Sequence, residues 1–174
     1  MMHVIGRSGW WSRVIPFLRQ PITKPMNLIK IEAHRQKLSV RTFQDTWNDH
    51  GEDSAALDWL FDKYKYGDPV VLFGHSYGAS AITHDARALA KRNVPVELLL
   101  SMDQGADSWV IRDRLIENNV RNCLELRVSF ERLSFIPHWQ GVHRFEQLPK
   151  SGGHTRTFLQ PEMVRRIVKE VLSA

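Results

Sequence analysis

The sequence predicts an α/β fold: a three-layer α/β/α sandwich on a mostly parallel sheet of about six strands. Three observations carry this. Short apolar runs alternate along the chain with longer stretches that have helical spacing. The runs at 70–73 and 96–102 are almost continuously apolar, as suits parallel strands buried on both faces. The stretch 161–172 places Met163, Val164, Ile167, Val168, Val171 and Leu172 on one helical stripe behind Pro161, a residue favoured at the first helical position. The length of 174 residues suits one domain, spanning 1–174, with one substantial core.

Residues 3–5 are a short apolar strand ending at Gly6. Residues 10–19 are expected to be helical, with Trp10, Val14, Phe17 and Leu18 at helix-like spacing. Pro21 and Pro25 are expected to break the chain, and residues 28–33 to form a second strand. A helix over 53–65 presents Ala56, Leu57, Leu60, Phe61 and Tyr64 on one face. Pro69 ends the loop before a third strand at 70–73, and a helix runs from Ala79 to about Arg92. Residues 96–102 form a fourth strand, 108–118 a helix, and 121–128 a fifth strand. An irregular, aromatic-rich loop covers 129–141, and residues 143–148 form a last strand before the terminal helix. Sheets of this kind bind ligands at the carboxyl ends of their strands.

The composition is that of an ordinary globular protein, 43% hydrophobic and 25% charged. The net charge of +5 and the pI near 9.6 would suit an anionic partner. The basic residues are scattered, however, with no run of five or more, so no specific nucleic-acid partner is expected. Cys123 is the only cysteine, which leaves no disulfide within the chain and fits a reducing, cytoplasmic setting. No run of about 18 apolar residues offers a membrane span, and the N-terminus lacks a signal-peptide pattern.

The most informative segment is Gly74-His75-Ser76-Tyr77-Gly78, directly after the apolar run 70–73 and before a helical stretch. A serine on such a strand-to-helix turn is pushed out of the backbone with its hydroxyl exposed above the sheet. The flanking glycines relieve crowding where the chain doubles back. In this G-x-S-x-G context the chain resembles the α/β-hydrolase superfamily, and the resemblance extends from His3 to the end. A departure in length is expected: the chain would start at the third strand of full-size members, which implies a minimal core without a cap domain.

The resemblance implies nucleophilic catalysis by Ser76 with an acid and a histidine following it in the chain. His154, after Ser151-Gly152-Gly153 and before the terminal helix, resembles the superfamily's catalytic base, placed in a loop; His138 and His143 are the other downstream histidines. His75 is read as a packing residue and His84 as too deep in the helix. Lipase-like and thioesterase-like members place the acid where Asp103 stands. Glu131, after the next strand, and Asp107 remain alternatives. The oxyanion hole is expected from the backbone N–H of Tyr77 and of Arg7, the latter in the loop after the first strand.

Trp109, Phe135 and Trp139 are candidate substrate-binding residues, forming an apolar wall with Phe130, Leu133, Ile136 and Phe158; ordinary packing under a long loop is the other reading. The expected function is hydrolysis of a small-molecule carboxylic ester or thioester through an acyl-enzyme, with no cofactor and no metal. Amidase or peptidase chemistry on the same residues, and an inactive hydrolase-like binding module, are the alternatives. The oligomeric state is left open.

Overall fold

The computed structural model describes residues 1–9, 14–46, 54–103, 116–128, 141–149 and 153–174. It is an α/β structure with six parallel strands flanked by helices. The strands are β1 (Met2–Ser8), β2 (Val40–Thr46), β3 (Val70–His75), β4 (Leu98–Met102), β5 (Cys123–Val128) and β6 (Arg144–Leu148). The helices are α1 (Gln20–Arg35), α2 (Ala55–Lys63), α3 (Tyr77–Lys91), α4 (Gly153–Arg156) and α5 (Pro161–Leu172). The sheet order is β2-β1-β3-β4-β5-β6, and every neighbouring pair is parallel. The chain passes from β1 outward to β2, then returns across β1 to β3. The order therefore reverses between β1 and β3, and a crevice opens at such a point beyond the strands' carboxyl ends.

Alternate residues of each strand face opposite sides. Ile5, Val70, Leu72, Leu99 and Cys123 join residues of α2 and α3 in one buried cluster. Val4, Val71, Phe73, Leu100, Leu124 and Leu126 join residues of α1 and α5 in the other. All six residues of β3 are buried, which explains its unbroken apolar run. Small residues on α3, among them Gly78, Ala79, Ala81 and Ala86, are buried and let this helix approach the sheet closely. On the opposite flank, α5 presents Val164, Ile167, Val168 and Val171 inward. The outermost strand β6 is tied to α5 by ions: Arg166 bonds both carboxylate oxygens of Glu146 at 2.6 and 2.5 Å, and Arg144 reaches Glu170 at 2.6 Å. The Arg166 hydrogen bond holds the Glu146 carboxyl below its usual range.

Two sequence expectations are corrected. Residues 28–33 are not a strand but the C-terminal half of α1, and neither Pro21 nor Pro25 breaks that helix. Pro21 lies in the first turn, where its missing N–H would have no intrahelical partner. Pro25 forgoes one bond, which the buried stripe Ile22, Met26, Ile29 and Ala33 outweighs. The second strand is instead Val40–Thr46, whose polar residues gave no strand signal. Of the helix expected over 10–19, the described part is a 3₁₀ turn at Pro16–Arg19, with Val14, Ile15 and Phe17 exposed. Most of the helix expected over 108–118 and of the loop over 129–141 lies outside the described residues. Among the described residues no helix is long and apolar enough to cross a membrane.

Candidate functional site

The carboxyl ends of β3 and β4 meet the start of α4 at one edge of the sheet. Ser76 sits between β3 and α3 with φ 59° and ψ −127°, a conformation that L-residues rarely hold. Its N–H donates to the Met102 carbonyl at 3.0 Å, fastening the turn to the end of β4. The two glycines of the motif are fixed by close backbone approach. A β-carbon at Gly74 would stand 2.3 Å from the Gly78 carbonyl oxygen, and one at Gly78 would stand 2.1 Å from the Arg7 carbonyl oxygen. The first contact closes the turn on itself; the second lets α3 start against the end of β1.

Asp103 follows β4 with a positive φ of 44° and is 2% exposed. Its own N–H donates to the Leu126 carbonyl at 2.7 Å, and its Oδ1 accepts from the Val128 N–H at 3.1 Å. One carboxylate oxygen is thus held by the neighbouring strand. The other, Oδ2, lies 2.6 Å from Nδ1 of His154. His154 belongs to the short helix α4 rather than to an open loop. The turn begins at Gly153, whose φ of +66° favours glycine, and Thr157 Oγ1 donates to the Gly153 carbonyl at 2.9 Å.

Ser76 and His154 line one cavity of about 170 Å³ together with Gly9, Leu18, His75, Tyr77 and Thr155. A larger groove of about 610 Å³ runs between α1 and α5, but its walls hold no nucleophile beside a histidine. Among the described residues no group of three His, Cys, Asp or Glu side chains could hold a metal ion.

The sequence candidates fall out as follows. Ser76, Tyr77, Asp103 and His154 come together at this edge. Tyr77 is the first residue of α3. Arg7 does not stand in a loop: β1 continues through Ser8, and Arg7 is a ladder residue opposite Asp45 and Gly74. Its guanidinium is fully buried and pairs with Asp85 of α3 at 2.8 Å. The residue of that segment beside the serine is Gly9, where an added β-carbon would lie 3.7 Å from Ser76 Oγ. Arg7 therefore stands in the strand and not in the loop after it, because the strand is longer than the apolar run 3–5. Trp109, Phe135 and Trp139, and the alternative acids Asp107 and Glu131, lie outside the described residues. Phe158 is buried in the α1/α5 core.

Sequence reasoning missed Gly9, Leu18 and Thr155 as lining residues, and took His75 for packing alone. His75 is 2% exposed, its Nε2 lies 3.0 Å from the His154 carbonyl oxygen, and its ring stands 4.7 Å from the His154 ring. Burial, with the charge of His154 adding to it, pushes the His75 imidazole down to about 3. The ring is thus neutral, with its Nε2–H donating to the carbonyl. Its position directly before Ser76 was the only available signal. Cys123 is buried and its thiol is pushed up to about 12, mainly by burial, so it is no nucleophile near neutral pH. Searches of family models, curated proteins and solved structures give no match to the chain.

Proposed function

We propose that the protein is a serine hydrolase that cleaves a small carboxylic ester or thioester through an acyl-enzyme, with Ser76 as nucleophile, His154 as base and Asp103 as orienting acid. The observation that carries this reading is the 2.6 Å contact from His154 Nδ1 to Asp103 Oδ2, at the wall of the cavity that also receives Ser76 on its strained turn. The Asp103 contact favours the tautomer with its proton on Nδ1, which leaves the Nε2 lone pair as the base. In the reaction His154 Nε2 takes the Ser76 proton as Oγ attacks the acyl carbon. It then returns that proton to the departing alkoxide or thiolate, and water repeats the sequence to release the acid. Tyr77, opening α3, and the main chain at Gly9 flank the place where the oxyanion would form.

The cavity is smaller than the roughly 300–1,000 Å³ of pockets for drug-sized ligands. That favours a short acyl group, packed against Leu18, over a long chain. The parallel α/β fold and the G-x-S-x-G motif support this reading through their resemblance to the α/β-hydrolases. Rapid labelling by a fluorophosphonate probe, abolished in Ser76→Ala, together with turnover of short acyl esters or thioesters, tests the reading. A folded wild-type protein that neither labels nor turns over any of these substrates would refute it.

A further inference from the structure

We infer that His75 is a positioning residue: a buried imidazole that holds the His154 turn in place through a hydrogen bond to its carbonyl and a ring-on-ring contact. The inference rests on the proposed hydrolase reading and adds a role that reading does not need.

Position 75 continues the face of β3 that carries Val71 and Phe73 into the α1/α5 core. An apolar residue would satisfy that environment. The imidazole there is 2% exposed, and a buried polar group is costly without a partner. Its partner is the main-chain carbonyl of His154, at 3.0 Å. The same ring lies 4.7 Å from the His154 ring at a 34° tilt, and 5.3 Å from Phe158 in an edge-on contact. His154 is therefore held at two places. Asp103 fixes Nδ1, and His75 fixes the backbone and one face of the ring.

The Asp103 contact alone leaves the His154 ring free to swing about a single hydrogen bond. Helix α4 beneath it is a single turn that starts at a glycine and passes directly into a 3₁₀ turn at Thr157–Leu159, so His154 sits at the free N-terminal end of the element. Thr157 ties down the Gly153 carbonyl, and His75 ties down the next one. The neutrality of His75 matters as well. When His154 takes up a proton in the reaction, its neighbour presents a neutral ring, not a second cation.

The test uses His75→Phe and His75→Gln. Phenylalanine keeps the ring contact with Phe158 and loses the donor; the glutamine amide can reach the position of Nε2 and restore it. We expect His75→Phe to stay folded and to melt close to the wild-type temperature, because the kept ring packing and the removal of a buried imidazole offset the His154 carbonyl left without its donor. Its kcat and fluorophosphonate labelling rate should nevertheless fall roughly 10- to 100-fold, with KM within about twofold, as a small misplacement of a reacting group can cost that much. His75→Gln should recover most of the loss. Wild-type rates in His75→Phe, or a glutamine variant as slow as the phenylalanine one, would overturn the inference. If the wild-type protein shows no hydrolase activity at all, the hydrolase reading fails and nitrogen-15 NMR of the His154 ring decides this one. A changed Nδ1–H signal in His75→Phe then supports the positioning role, and an unchanged signal refutes it.

Discussion

Replacing Ser76 by glycine should leave the protein more stable than replacing it by alanine, although both changes remove the same hydroxyl. The residue is held at φ 59° and ψ −127°, where a β-carbon is crowded. Residues forced into sparsely populated backbone regions cost of order 1–3 kcal/mol each. Glycine escapes that cost, but the unfolded chain gains freedom worth about 0.4–1 kcal/mol. The difference leaves the glycine variant ahead by roughly 1–2 kcal/mol. No helix cap confuses the comparison, because the Ser76 side chain makes no capping bond to α3. For a chain of this size each kcal/mol moves the melting temperature by about 2–4 °C, so the glycine variant should melt roughly 2–8 °C above the alanine one. Calorimetry at neutral pH, with urea unfolding as a check that the m-value is unchanged, measures this directly. An alanine variant as stable as the glycine one would mean that the turn at Ser76 stores no strain.

Other substitutions probe the same edge of the sheet. Gly78→Ala should destabilise by at least about 2 kcal/mol, since the added carbon meets the Arg7 carbonyl at 2.1 Å and neither backbone can yield; a variant that melts with the wild type would sink this. His154→Ala should slow turnover about as much as Ser76→Ala, roughly 10⁴-fold or more, and Asp103→Asn should cost less, read as kcat/KM on a short acyl ester. His75 also gives a pH signature. Its folded pKa near 3 lies below the unfolded 6.5, so the unfolded state binds the extra proton between these values, and stability present above pH 6.5 is lost as the pH falls towards 3. By pH 5 this one residue should account for about 2 kcal/mol, and His75→Phe should flatten that part of the stability curve. Equal losses in urea unfolding for both proteins between pH 7 and 5 would contradict it.

What the sequence disclosed follows from the range of the forces involved. The Ser76 turn was legible because its requirements are local: two glycines, an apolar strand before and a helix after. Asp103 and His154 were legible as candidates through their places after β4 and before α5, but their approach to 2.6 Å is a tertiary fact. Residues 28–33 misled because Leu28, Ile29 and Ile31 read as an apolar run. Only Ile29 and Ala33 of that segment face the core, and Leu28 and Ile31 are exposed. The strand Val40–Thr46 was invisible for the opposite reason: Arg41, Gln44 and Asp45 mask it, and its extended form comes from pairing with β1. Arg7 was assigned to a loop because no local rule anticipates a buried guanidinium. Its partner, Asp85, lies far along the chain on α3. The role of His75 depends on a carbonyl even more distant in sequence.

The parallel order of the sheet also governs how the chain reaches this state. Among the described residues every neighbouring strand pair is parallel and none is joined by a hairpin, so none of these pairs can form as a local, early event. His3 must find Val70, and β3 must then accept β4 on its other side. Loop-closure entropy therefore precedes the reward of almost every strand contact, which makes such topologies slow to fold. During that delay the uncharged apolar segments Val70–Phe73 and Leu98–Leu100 are exposed and prone to stick to other chains. Once buried in the centre of the sheet they are safe; before that they are its main route to aggregation. Yield in recombinant expression should accordingly depend on the rate of synthesis and on temperature more than on the stability of the finished fold.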